Sequence, residues 1–156
     1  MKIINKLILG LAAVSLCIAA PFAAVAGPLE NAYKKFATCS NSGAGVPTEL
    51  AFSACITAFD ALIAEAQKPQ HSAKERRLLW ANAGQSANLA MFLQLKTDNA
   101  QTKEAMLTDR VCSIALNGLK AFSQVKPKGT KDEMGGLFVP SSTQTTIHNL
   151  CTARKK

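Results

Sequence analysis

The stretch TELAFSACITAFDALIAEAQKP, residues 48–69, decides the fold because its apolar residues recur with the period of an α-helix. The residues that share one face are Phe52, Cys55, Phe59, Leu62 and Ala66, with Ile56 and Ile63 beside them. Thr48 is expected to cap this helix, and the helix should end near Gln67 because Pro69 cannot continue it. Cys55 lies inside the apolar stripe, so its sulfur is expected to point into the core.

Two helices are predicted on either side of this one. A short helix spans residues 29–37, and its apolar side carries Leu29, Ala32, Tyr33 and Phe36. Another begins after Ser72, because Ser72 and Glu75 have the spacing of a capping box. One of its faces carries Leu79, Ala83, Ser86, Ala90 and Leu93. The middle of that face is small, which favours close approach of a second helix and would offset the cost of Gly84.

Residues 97–99 are expected to form a turn, followed by a helix over about 100–125 in which Thr108 is a candidate break. Ser141, with Gln144 three residues later, is expected to cap a last helix. Its buried edge is expected to consist of Ile147, Leu150 and Cys151. No window alternates apolar and polar residues as a strand does. The sequence therefore predicts an all-α, single-domain irregular bundle of about five helices.

The N-terminus has the order of a cleavable signal peptide. Lys2 and Lys6 supply positive charge, an uncharged run follows over residues 7–20, and Ala24 and Ala26 provide small residues before Gly27. The apolar run is shorter than the ~20 residues of a spanning helix, which disfavours an uncleaved anchor. Residues 1–26 are thus interpreted as a signal peptide, and residues 27–156 as a mature domain of 130 residues in the periplasm or outside the cell.

Four cysteines remain in the predicted mature domain, and an oxidising compartment favours two disulfides between them. Cys39 and Cys55 enclose fifteen residues and are expected to clamp the first two helices, while Cys112 and Cys151 would join the last helix to the long one before it. Two other pairings, or four buried thiols, stay open at this point. No metal ligand set or cofactor is expected, because the cysteine spacing does not suit zinc and the two histidines lie far apart.

The charge is strongly basic. The chain has 18 lysines and arginines against 10 acidic residues, a net charge of +8 that falls to +6 without Lys2 and Lys6. One basic cluster is Lys126, Lys128 and Lys131, and another is Arg154, Lys155 and Lys156. Such clusters solubilise a surface or attract an acidic partner protein or an anionic envelope polymer. Nucleic acid is not expected as a partner, because no aromatic residues interleave with the basic ones.

The stretch KPKGTKDEMGGLFVPSS, residues 126–142, has no helical or strand period. Long irregular segments in compact domains are usually functional or disordered. A run of apolar side chains is also unfavourable in water unless it packs against another surface. We expect residues 126–139 to form an exposed loop that makes the main contact with a partner. The residues assigned to this contact are Lys126, Lys128, Lys131, Leu137, Phe138 and Val139. The alternative is that the apolar residues pack on the protein's own core.

The sequence indicates no catalytic residues. His71 and His148 are distant, and no plausible order of nucleophile, base and acid exists around them. Trp80, beside Leu78 and Leu79, is expected to be half-buried packing and not a ligand platform. The favoured function is therefore an exported, non-enzymatic protein that binds another protein of the cell envelope, as an inhibitor, an immunity protein or an assembly subunit. A periplasmic stress chaperone and a small enzyme of unknown reaction are the alternatives.

One segment resembles a known family. Cys39 and Cys55, followed by ITAFDAL, are similar to the start of periplasmic immunity proteins that neutralise amidase effectors of type VI secretion. That family also resembles this chain in size, signal, helices and disulfides. It has glycines and an aromatic residue just after the second cysteine, whereas residues 56–58 here are Ile-Thr-Ala. The resemblance implies an exported helical inhibitor, and no residue is assigned a role from it.

Overall fold

The structure is a computed structural model that describes residues 27–42, 45–102, 107–125 and 139–154. These residues form five α-helices and no strand, which confirms the all-α bundle. The helices are α1 (Pro28–Ser40), α2 (Thr48–Ala66), α3 (Ala73–Thr102), α4 (Asp109–Ser123) and α5 (Ser142–Arg154). The predicted signal peptide, residues 1–26, lies outside the described residues.

Helix α3 is the centre of the bundle. It packs against both α2 and α4, while α1 lies on α2 and α5 lies on α4. This close approach on two sides is possible because the buried surface of α3 is built from small residues. The small buried residues of α3 are Ala81, Ala83, Gly84, Ser86, Ala87 and Ala90. A Cβ atom at Gly84 would lie 2.6 Å from carbons of the Phe122 ring, so this glycine makes room for α4.

The predicted turn over residues 97–99 is wrong, because α3 continues through it to Thr102. Asp98 is buried there and does not end the helix, since its carboxylate has local partners. Gln94 Nε2 donates to Asp98 Oδ1 at 2.9 Å, and Thr108 Oγ1 donates to Oδ2 at 3.5 Å. The break expected near Thr108 is confirmed, because Thr108 is the N-cap of α4 and its Oγ1 accepts from the Val111 amide at 3.3 Å.

The caps of α2 and α3 differ from each other. Ser72 and Glu75 form the expected capping box: the Glu75 amide donates to Ser72 Oγ at 3.2 Å, and the Ser72 amide donates to Glu75 Oε2 at 2.8 Å. Thr48, in contrast, does not cap α2. It is the first residue of the helix, Pro47 occupies the N-cap position, and no side chain bonds to the free amides.

The expected buried edge of α5 needs one correction. Ser141 caps the helix as predicted, since its Oγ accepts from the Gln144 amide at 3.0 Å. The Gln144 side chain does not return to the cap and is instead fully buried against Gly118. Leu150 is 51% exposed, so the buried edge consists of Gln144, Ile147 and Cys151. These three residues follow steps of three and four, and Leu150 lies outside the narrow face that they define.

Both predicted disulfides are confirmed. Cys39 pairs with Cys55 across a Cα–Cα distance of 4.6 Å, and Cys112 pairs with Cys151 across 5.6 Å. All four half-cystines belong to one apolar cluster, which also contains the fully buried Met91 and Val111. Two disulfides are typical of proteins that fold outside the reducing cytosol. No helix within the described ranges has the length and apolarity that crossing a bilayer requires.

Candidate partner-binding groove

The structure describes only one of the six residues predicted to contact a partner. Val139 is 52% exposed and lies just before the Ser141 cap of α5. Lys126, Lys128, Lys131, Leu137 and Phe138 lie outside the described residues, so the contact predicted for them stays a prediction. The structure does fix the point from which the chain enters this segment, because α4 ends at Ser123 and Val125 is buried.

A cavity of about 420 Å³ opens close to that point, between α2, α3 and α4. Phe59 and Ile63 line it from α2, where a step of four places them on one face, and Gln67 lines it from the C-cap of that helix. Trp80 lines it from α3. The other lining residues are Asn117, Lys120 and Ala121 of α4 and Gln124 at the C-cap of α4. The floor of the cavity is therefore apolar, and amide and ammonium groups surround it.

A second cavity of about 300 Å³ adjoins the first. Its lining consists of Ala73, Arg76, Arg77, Trp80 and Gln124. Trp80 and Gln124 line both cavities, so the two are parts of one groove with the indole ring between them. We call this feature the Trp80 groove. Trp80 is half-buried, as the sequence indicates, but its role in lining two cavities was not predicted.

The charges that line the groove have one sign. Lys120 stands at the first cavity, and Arg76 and Arg77 stand at the second, with no acidic residue among the described lining residues. Arg76 is held in place by its own hydrogen bond, in which Nη1 donates to the His71 carbonyl at 2.9 Å. An apolar floor that carries an aromatic ring and a cationic rim is suited to an apolar side chain flanked by carboxylates.

A partly buried cluster of Glu65, Lys68 and His71, called the ionic corner below, orients Arg76. Glu65, at the end of α2, is only 5% exposed and accepts from Lys68 Nζ. Its other oxygen lies 3.0 Å from His71 Nε2, which must carry the proton because a carboxylate only accepts. The hydrogen bond from Lys68 lowers the pKa of Glu65 below its ordinary value, and the one from His71 adds to this, while burial opposes both.

Sequence reasoning missed this corner because it considered His71 only as a candidate catalytic residue. The available signal was the spacing of Glu65, Lys68 and His71 around Pro69, where the chain must turn at the end of α2. The corner is structural: it fixes the connection between α2 and α3 and, through the His71 carbonyl, the position of Arg76. No group of residues suited to holding a metal ion occurs within the described ranges.

Comparison with known proteins supplies no relative from which a role could be transferred. The chain matches no protein-family model, no curated protein and no solved structure. The resemblance of its first cysteine segment to immunity proteins therefore rests on those residues alone, and the Trp80 groove stands on its own geometry.

Proposed function

We propose that this chain is an exported binding protein that engages an acidic protein of the cell envelope through the Trp80 groove. The observation that carries the proposal is the combination in one groove of a half-buried tryptophan, an apolar floor and a rim of cations. Aromatic residues in well-packed pockets dominate the binding energy of many interfaces, while rim charges mainly set specificity and the rate of association.

The occupant is a segment of the partner with an apolar side chain between carboxylates. The apolar side chain enters the cavity of about 420 Å³ beside Trp80, where Phe59 and Ile63 cover it. The carboxylates reach Lys120 on one side and Arg76 with Arg77 on the other. Arginine is suited to this role because its planar fork binds a carboxylate through two hydrogen bonds.

The basic segment predicted from the sequence would extend the same contact. Gln124 lines both cavities, and Lys126 follows it by two residues in the chain. Lysines that begin so close to the groove add to its positive potential and attract the same acidic partner. The chaperone and enzyme alternatives gain no supporting observation of their own and stay predictions.

Site-specific photocrosslinking in the producing cells tests the proposal. A photoreactive residue at Asn117, which is exposed and lines the groove, should capture one envelope protein. The same residue at Thr146, exposed on α5 and outside the groove lining, is the matched control and should capture much less. Equal capture from both positions would show that the groove is not the binding surface.

The captured partner then allows a charge test. Trp80 is the sole tryptophan of this chain, so its fluorescence reports occupation of the groove when it is titrated with a segment of the partner that contains no tryptophan. Lys120→Glu should weaken binding by roughly tenfold, because it places a like charge against the partner's carboxylates. Lys96→Glu makes the same change of charge at an exposed position of α3 outside the groove lining, and it should weaken binding less than about twofold. Equal losses of affinity in the two variants would mean that only the net charge of the protein matters, and this would contradict docking in the groove.

A further inference from the structure

The two disulfides differ in their surroundings. Cys112 and Cys151 both line a cleft of about 170 Å³ between α4 and α5. All four half-cystines are buried, with exposures of 8% for Cys112, 6% for Cys151, 3% for Cys39 and 0% for Cys55, but neither Cys39 nor Cys55 lines this cleft or the Trp80 groove. Although both disulfides lie in the same apolar cluster, this cleft gives a thiol in solution a route to Cys112–Cys151.

The remaining walls of the cleft are suited to a small polar thiol. Ser113 and Leu116 come from α4, and His148 and Thr152 come from α5. Leu116 is 48% exposed, so the cleft opens to solvent on its side. His148 and Cys151 are three residues apart on α5, so they share a face of that helix and both line the cleft.

We propose that the Cys112–Cys151 disulfide is a site of thiol–disulfide exchange with low-molecular-weight thiols. A thiolate enters the cleft and attacks one Sγ atom, forming a mixed disulfide as the Cys112–Cys151 bond breaks. The electron pair of that bond passes to the other Sγ atom, which leaves as a thiolate and takes a proton from His148 or from water. A second molecule of thiol releases the first as its own disulfide and leaves both cysteines reduced.

Exchange at this position has a local structural consequence, because few other buried contacts between the described residues hold α5. The buried contacts of α5 are Gln144, Ile147 and Cys151, and Ser141 Oγ at its cap donates to Asn88 Oδ1 at 2.8 Å. The Gln144 amide atoms are buried with no hydrogen-bond partner among the described residues, so their burial opposes docking of α5. Opening the disulfide should therefore release α5 and leave α1, α2 and α3 packed.

Reduction of the intact protein with glutathione tests this directly. Samples are alkylated over time, and peptide masses then give the rate of opening for each disulfide. We expect Cys112–Cys151 to open at least about tenfold faster than Cys39–Cys55, with a glutathione adduct on Cys112 or Cys151 appearing first. Hydrogen exchange should accelerate in residues 142–154 at that stage and not in α2 or α3.

A pair of serine variants separates access through the cleft from general loosening. Ser113 and Ser123 are both exposed on α4, but only Ser113 lines the cleft. Ser113→Phe should slow the opening of Cys112–Cys151 severalfold at an unchanged melting temperature, while Ser123→Phe should leave the rate unchanged. Equal rates in the two variants would overturn the proposal. So would opening of Cys39–Cys55 first, or opening of both disulfides together at the rate of global unfolding.

Discussion

Glu65 shows how one buried side chain can tie stability to pH. Its carboxylate has Lys68 and His71 as partners, and these hydrogen bonds lower its pKa in the folded state below the ordinary value of 4.5. The unfolded chain thus holds this proton more tightly than the folded protein does. The contribution of Glu65 to stability is complete above pH 4.5 and is lost as the pH falls through the lower folded-state pKa.

Glu65→Gln should lower the free energy of unfolding at pH 7 by about 1–2 kcal/mol, because it removes a charge-assisted acceptor from two donors. The difference from the unmodified protein should be smaller at pH 3, because this pH lies below 4.5, where the stabilisation by the Glu65 carboxylate begins to be lost. Urea unfolding at both pH values measures this. Glu30→Gln is the control, since Glu30 pairs with Lys34 in a largely exposed ion pair and its loss should change little. An equal loss at pH 7 and pH 3 would contradict the assigned ionisation.

A second prediction at the scale of one residue concerns Gly84. Alanine is the better helix former by about 1 kcal/mol, so an exposed Gly→Ala change in a helix is expected to stabilise. At Gly84 the added Cβ would meet the Phe122 ring at 2.6 Å, and Phe122 is itself buried. Gly84→Ala should therefore destabilise the protein by about 1–3 kcal/mol, measured by chemical denaturation.

A double variant identifies the cause. Phe122→Leu removes part of the ring, so the loss on adding Gly84→Ala to this background should be smaller than in the unmodified protein. Additive losses would show that the Phe122 ring is not what Gly84 accommodates.

The helix ends allow a matched comparison at the scale of elements. Ser72 caps α3 through its hydroxyl, whereas Thr48 at the start of α2 makes no such bond. Ser72→Ala should cost about 1 kcal/mol, the usual value for a lost N-cap. Thr48→Ala should change the stability by less than about 0.5 kcal/mol, because it removes no cap. Equal effects in thermal unfolding would contradict the assignment of the caps.

The elements also show what the sequence could and could not predict. Periodicity and capping signals predicted all five helices, because those signals are local. The prediction of a turn over 97–99 was wrong because the Asp98 carboxylate accepts hydrogen bonds from Gln94 and Thr108, and Thr108 lies ten residues away. The Trp80 groove was not foreseen for the same kind of reason: its lining comes from three helices, and no single stretch contains its pattern.

At the scale of the whole molecule, the net charge of +8 favours an acidic partner, and under the proposed function the basic segment should act on the rate of association. We expect an Ala triple variant at Lys126, Lys128 and Lys131 to associate more slowly with the captured partner and to lose most of the salt dependence of that rate. Phe138→Ala should speed dissociation without changing the melting temperature, as measured by surface-based kinetics and calorimetry. If Phe138→Ala lowers the melting temperature and leaves binding intact, the apolar residues of this segment belong to the core.

The order of the disulfides along the chain has a consequence for how the protein matures. Four cysteines allow three pairings, and a reduced chain released all at once can form any of them. Among the four cysteines of residues 27–156, the first, Cys39, pairs with the second, Cys55, and the third, Cys112, pairs with the fourth, Cys151. In a chain that enters an oxidising compartment N-terminus first, Cys39 and Cys55 meet the oxidant before Cys112 arrives. The order in which the cysteines enter then selects the native pairing, so no disulfide isomerase is needed to rearrange it.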